Sequence, residues 1–230
     1  QPPSYHEGLS ANTSQSSTPP SGDPDFWPQW NLHNVGQDFY PGILWEKGIP
    51  GADVDAASAW AARTDASEVL VALLDTGVSV NHPDLAQNIW RNQGEIPDDG
   101  IDNDGNGYID DVHGWDFLHD DGSVFDGAFP DMHGTHIAGI IAADGGNGIA
   151  VAGVAWKAPL LPLKVLGPDG VCSTWALLEA IDYAVRMGAS IACCTWSAAG
   201  YSSLLETAIA DSGMLFIVAA GNTGADNDLD

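Results

Sequence analysis

The 230-residue chain is poor in positive charge: 6 Lys and Arg stand against 32 Asp and Glu, for a formal charge of −26. A protein that grips a nucleic-acid backbone needs a basic face, so that class is excluded. An anionic membrane surface is an equally poor partner. Long apolar runs are missing too; Leu215–Ala220 is among the longest and is far too short to span a bilayer. The first residues lack a basic segment followed by an apolar stretch, so no intact secretory leader is expected in them. Cysteine is scarce and odd in number, at Cys172, Cys193 and Cys194. Neighbouring Cys193 and Cys194 would face opposite sides of a strand, and all three read as small buried hydrophobes rather than as a disulfide or metal set. Glutamate is the last scarcity: 6 Glu against 26 Asp. A helical acidic surface would favour Glu, whereas Asp favours loops, caps and metal sites.

What is present is organised. Residues 1–22 are polar and rich in Ser, Thr and Pro, a composition that cannot offset chain entropy, so a linker or pro-segment remnant is expected there. From Asp23 to Asp230 the composition is globular, with 44% hydrophobic residues overall. A helix is expected over Val54–Ala62, entered through Asp53. Helices are also expected over Gly134–Ala143, from the Ser173 cap to Met187 with Leu177, Ile181, Ala184 and Val185 on one face, and over Ser203–Ala210. Strands are expected at Glu68–Leu74, Leu160–Leu166, Ser190–Cys194 and Met214–Ala219. Such alternation predicts an α/β fold with a mainly parallel sheet flanked by helices on both faces. In such sheets functional residues gather at the carboxyl edge, where Asp75, His133 and Asn222 would converge.

Taken singly, each of these has an ordinary structural explanation. Asp75-Thr76-Gly77 could be a strand-to-turn Asp bonded to its own backbone. It could also be one half of an aspartic-protease pair, with Asp211-Ser212-Gly213 as the other. Asp211 follows a helix-like run, however, and Gly213 reads as a helix stop. His133-Gly134-Thr135-His136 has a zinc-like spacing but lacks a third ligand at a familiar distance. Ala219-Ala220-Gly221-Asn222 could be a plain turn after a buried strand.

In order along the chain, LLDTGV with HPDL after it, HGTHIAG, GVAWKAPLLPLKVL and FIVAAGN resemble the subtilisin-like serine proteases, the subtilases. The resemblance runs from about Asp23 to Asp230. It implies an endopeptidase that cleaves extended peptide through a Ser-His-Asp triad and an acyl-enzyme, with Asp75 as the acid, His133 as the base and Asn222 as the oxyanion donor. It implies substrate contacts at Gly170 in the Gly167–Val171 strand and at Thr195, Trp196 and Ser197. Ser197 and Ala198 stand where the family usually has Gly-Gly, so a narrowed or altered P1 pocket is expected. It also implies secretion and inhibition by the protein's own pro-segment. The family's nucleophile lies in a Gly-Thr-Ser-x-Ala segment, and Gly-Thr-Ser occurs nowhere in the chain. The expectation is therefore a truncated catalytic domain, inactive alone; a catalytically dead calcium-binding or interaction domain is the alternative.

Eleven Asp lie between Asp98 and Asp131 with no Lys or Arg among them, so disorder or a bound cation is required. Asp102, Asp104, Asn106 and Gly107 match much of a D-x-D-x-N-G calcium loop. His113 stands where an EF-hand places its bidentate Glu, so Asp110 or Asp111 would close the site. The resemblance suggests a second Ca²⁺ site from Asp23, Asp84, the Asn147 side chain and the carbonyls of Ile149 and Val151. Two ions would still leave most of the charge, which suits a salty or extracellular setting.

Overall fold

A computed structural model of the chain describes residues 21–37, 47–127, 129, 131–196, 200–222 and 224. Residues 1–20 of the expected linker lie outside them. Ser21 is already buried, and its Oγ accepts a hydrogen bond from the Asp23 amide at 3.3 Å.

The elements in chain order are α1 (Ala56–Ala62), β1 (Val71–Asp75), β2 (Trp115–Asp116), α2 (Met132–Ala142), β3 (Leu160–Lys164), α3 (Thr174–Arg186), β4 (Ile191–Cys194), α4 (Ser203–Ser212) and β5 (Leu215–Val218). The sheet order is β2-β3-β1-β4-β5, with every neighbour pair parallel. Leu74 lies opposite Leu163 and Cys194, and Cys194 opposite Val218. All carboxyl ends therefore share one edge.

The apolar run of β1 is explained by burial on both faces. Ala72 and Leu74 pack with Leu177, Ala180, Ile181 and Ala184 of α3 on one side. Val71 and Leu73 pack with Ala138 and Ala142 of α2 on the other. Cys194 faces the α3 side and Cys193 the α2 side, and both are free thiols. Burial pushes the Cys194 thiol up to about 12. A third cluster, Phe26 and Leu32 with Ala56 and Ala152, ties the N-terminal segment to the loop after α2.

Several elements depart from expectation. The first helix begins at Ala56 behind Asp55, not at Val54, because Asp53 spends its carboxylate on the Asn34 and Asp55 amides. Val185 lies outside the buried face of α3, which Tyr183 and Ala180 complete. Helix α2 is apolar all round, yet only Gly134, Ala138 and Ala142 are buried, a single stripe four residues apart. The terminal strand is not a buried one: Leu215, Ile217 and Val218 are exposed, and β5 is the sheet edge among the described residues. Helix α4 likewise has no buried residue.

Helix α3 starts as its sequence dictates: Ser173 is extended and its side chain accepts from the Ala176 amide at 3.0 Å. Ser173→Ala should lower stability by about 1 kcal/mol in urea unfolding.

Candidate active site

The site is built on the carboxyl edge of β1. Asp75 ends that strand, fully buried. Its Oδ1 accepts from the Thr76 amide at 2.6 Å. His133, in the first turn of α2, places Nδ1 at 2.8 Å from Asp75 Oδ1 and 3.0 Å from Oδ2. The ring is otherwise open, with its side chain 54% exposed. Gly134 makes the approach possible: a Cβ there would lie 3.1 Å from Asp75 Oδ1 and closer still to the Gly77 carbonyl. The Gly134 amide donates to Thr76 Oγ1 at 3.1 Å, which locks helix and turn together.

Thr195, just past β4, donates its hydroxyl to Asp75 Oδ2. Trp196 donates its indole N–H to the Leu74 carbonyl at 3.1 Å and packs on the α3-side core. Ser197 lies outside the described residues. Asn222 is exposed beyond β5, on the same edge of the sheet. Gly167–Val171 is not an extended strand. It closes on itself, with Gly167 N donating to Val171 O and Gly170 N to Gly167 O, and Gly170 takes a left-handed φ of 73°. Asp211 sits in α4, and Gly213 ends that helix at φ 71°, so Asp211-Ser212-Gly213 is a helix terminus.

Beneath the pair lies a second set of charges. Lys164, buried at the end of β3, reaches Asp126 Oδ2 at 2.5 Å and Asp131 Oδ1 at 2.7 Å, with Asp116 Oδ2 at 4.0 Å. Burial pulls its ammonium down, but the hydrogen bonds to Asp126 and Asp131 outweigh that and hold it above its ordinary value. His119 Nδ1 rests 2.7 Å from Asp116 Oδ2, and that bond raises the imidazole above its ordinary range. A groove of about 980 Å³ runs along the outer face of α2, walled by Trp30, Phe125, Met132, His136 and Ile140. Neither Asp75 nor His133 lines it.

The Asp-rich loop is ordered around a buried carboxylate. Asp111 Oδ2 accepts from Tyr183 OH at 2.6 Å and from Asn106 Nδ2 at 2.8 Å; Oδ1 accepts from Asn92 Nδ2 at 2.7 Å. Carboxylate oxygens of Glu95, Asp104 and Asp111 lie within 4.8 Å of one another. Among the described residues, no Lys or Arg pairs with them. This donor set of hard oxygens around uncompensated charge fits a calcium ion. Glu95 was not foreseen: it precedes the Asp-rich stretch, and the loop motif does not contain it. Two expected ligands are used otherwise. Asp102 accepts the Asn106 and Gly107 amides, and the Gly107 bond holds its carboxyl below the usual range. Asp110, at φ 56°, turns its carboxylate to the Asp99 and Gly100 amides.

The second expected set does meet on one loop. Asp23 accepts the Gly146 and Gly148 amides at 2.8 and 2.9 Å. Asp84 accepts from Asn147 Nδ2 at 2.8 Å and from the Val151 amide at 3.2 Å; Ile149 N donates to Asn147 Oδ1. Both carboxylates are buried, and among the described residues neither has a cationic side chain. Their carboxylate oxygens, like those of Asp102 and Asp110, are turned to N–H donors, and Asn147 Oδ1 accepts from Ile149 N rather than facing them.

The fold and site thus define an α/β protein of the parallel-sheet class with a buried acid bonded to an exposed imidazole at its carboxyl edge. The chain belongs to the subtilase family, whose model matches residues 66–229. It is similar to subtilisin-like protease 1 of Plasmodium berghei, 32% identical over 80% of this chain and 31% of that protein. It is also similar to thermitase of Thermoactinomyces vulgaris, 32% identical over 74% of this chain and 53% of that protein. A solved protease structure from Pseudoalteromonas arctica aligns with TM-score 0.61 and 29% identity, covering 90% of this chain and 60% of that one. The chain thus spans about a third to a half of the curated relatives it matches.

Tyr183 docks the Asp-rich loop onto α3. Tyr183→Phe should cost about 1–3 kcal/mol by removing a donor from buried Asp111. Melting in chelator, with and without the hydroxyl, measures it.

Proposed function

We propose that this chain supplies the acid, the base and an oxyanion donor of a subtilisin-type serine endopeptidase. The observation that carries the reading is the His133 Nδ1 contact with buried Asp75 at 2.8 Å, with the rest of the ring open. An Asp that accepts the Nδ1 proton fixes the tautomer that leaves Nε2 as a proton acceptor. Facing a serine hydroxyl, Nε2 takes its proton as the oxygen attacks a peptide carbonyl. The negative charge of Asp75 offsets the charge the ring then gains. Asn222, at the same sheet edge, donates to the oxyanion, and His133 passes the proton to the leaving amine. Water then repeats the sequence on the acyl-enzyme. The serine belongs to a Gly-Thr-Ser-x-Ala segment outside these 230 residues.

The substrate is an extended peptide or protein, and the protein's own pro-segment is the natural inhibitor. The domain begins near Asp23. Two Ca²⁺ ions complete it, one held by Glu95, Asp104 and Asp111 and one by Asp23, Asp84 and Asn147. They would supply charge compensation to buried carboxylates and take no part in the chemistry. Among the described residues no helix is long and apolar enough to cross a membrane; the acidic surface and the calcium sites suit a secreted protein. The second reading is a catalytically inactive calcium-binding or interaction domain, in which no serine is joined to this pair.

Fluorophosphonate labelling of the longest natural product containing this chain separates the two. The protease reading expects a labelled serine and loss of labelling in His133→Ala. Asp75→Asn should lower kcat by about 10⁴-fold, the scale known for this acid in another subtilase. An unlabelled full-length protein supports the dead domain. Excess chelator should lower Tm by roughly 5–10 °C for each ion removed; an unchanged melting curve would remove calcium from the account.

A further inference from the structure

We propose that Lys164 is a positioning residue for the Asp75–His133 pair, acting through Asp131. Its catalytic consequence rests on the protease reading above; its geometric claim does not. Lys164 is the one buried Lys or Arg among the described residues. It lies directly opposite Asp75 in the β1–β3 register, and the next two amides, Val165 and Leu166, both donate to the Asp75 carbonyl. The backbone that carries the acid is thereby fixed to the backbone that carries the lysine.

The side chain makes the other half of the link. Lys164 Nζ stands 2.7 Å from Asp131 Oδ1, and Asp131 is the N-cap residue of α2, two positions before His133. An N-cap Asp ordinarily turns its carboxylate onto the amides of its own helix. Asp131 does not: its side chain makes no cap bond, and Oδ2 instead accepts the Asp126 and Gly127 amides. The helix turn that bears His133 is thus held by a bond to the neighbouring strand rather than by its own cap. Gly77 closes the arrangement. A Cβ there would lie 2.9 Å from Asp131 Cγ, so the turn after Asp75 seats directly on the Asp131 carboxylate. Acid turn, base helix and β3 all meet at one buried ion pair.

The charge set is buried on its inner side and open on its outer side. Asp116 and Asp131 are buried, Asp126 is exposed, and His119 faces Asp116 and Asp126 from the outside. Removing Lys164 leaves these carboxylates without their internal cation, and Asp131 then gains by moving toward water, taking the first turn of α2 with it.

The test reads the His133 Nδ1 proton by NMR on the chain labelled with ¹⁵N-histidine. The wild type should show a hydrogen-bonded, downfield Nδ1–H resonance that His133→Ala removes. Lys164→Met should abolish it while methyl signals of Leu177 and Ile181 stay in place. Asp131→Asn should do the same and keeps an oxygen for the Asp126 and Gly127 amides, so it decides the matter if Lys164→Met does not fold. The double variant should be no worse than either single one, since both break one link. In the full-length protein kcat should fall about 10²-fold with KM unchanged. A wild-type Nδ1–H resonance in folded Lys164→Met or Asp131→Asn overturns the proposal. So does loss of the resonance only in step with the Leu177 and Ile181 signals. An unlabelled full-length protein would defeat the protease reading and leave the resonance test intact.

Discussion

Buried negative charge is the constraint on which this structure depends. Asp23, Asp75, Asp84, Glu95, Asp111, Asp116 and Asp131 are all buried, while Lys164 is the only buried Lys or Arg among the described residues. A carboxylate taken out of water is costly unless hydrogen bonds or an opposite charge replace the lost solvation. Each finds a different replacement. Asp116 and Asp131 share Lys164. Asp75 has two hydroxyl- or amide-bearing threonines and an imidazole. Asp23 and Asp84 collect backbone and amide N–H groups from one loop, Glu95 accepts backbone amides of the Asp-rich loop, and Asp111 accepts the Tyr183 hydroxyl and the Asn92 and Asn106 side-chain amides.

That distribution links stability to the candidate chemistry. The imidazole that compensates Asp75 is also the group whose free nitrogen faces outward from the carboxyl edge. The same edge carries Asn222 and the end of β4, because every strand pair is parallel. The ion pair below it holds the two elements that bring acid and base together. A parallel sheet with both central faces covered supplies the rigid base: β1 and β3 are buried along their whole lengths.

The sequence made β1, β3, α3 and the Asp75 and His133 positions readable, for physical reasons. Burial on both faces turns a strand into a continuous apolar run, and Ser173 announces its helix. β2 could not be read: two residues, Trp115–Asp116, are held only by pairing with Leu163 and Lys164. The exposure of β5 was hidden because an edge strand carries the same apolar residues as a central one. Nothing local shows that the Thr195 hydroxyl reaches Asp75, 120 residues away in the chain. Lys164 and Asp131 are 33 residues apart, and Glu95 lies outside the loop motif, so side-chain convergence in three dimensions alone identifies them. Asp102 and Asp110 show the converse: residues in the right motif whose carboxylates are spent on backbone amides.

If uncompensated burial governs the fold, the carboxylates without a cationic side chain must be completed from solution. Isothermal titration calorimetry with Ca²⁺ measures this most directly. Two ions per chain are expected, with Glu95→Gln abolishing one binding event and Asp84→Asn the other. A chain that binds no calcium, or binds it unchanged in both variants, would contradict it.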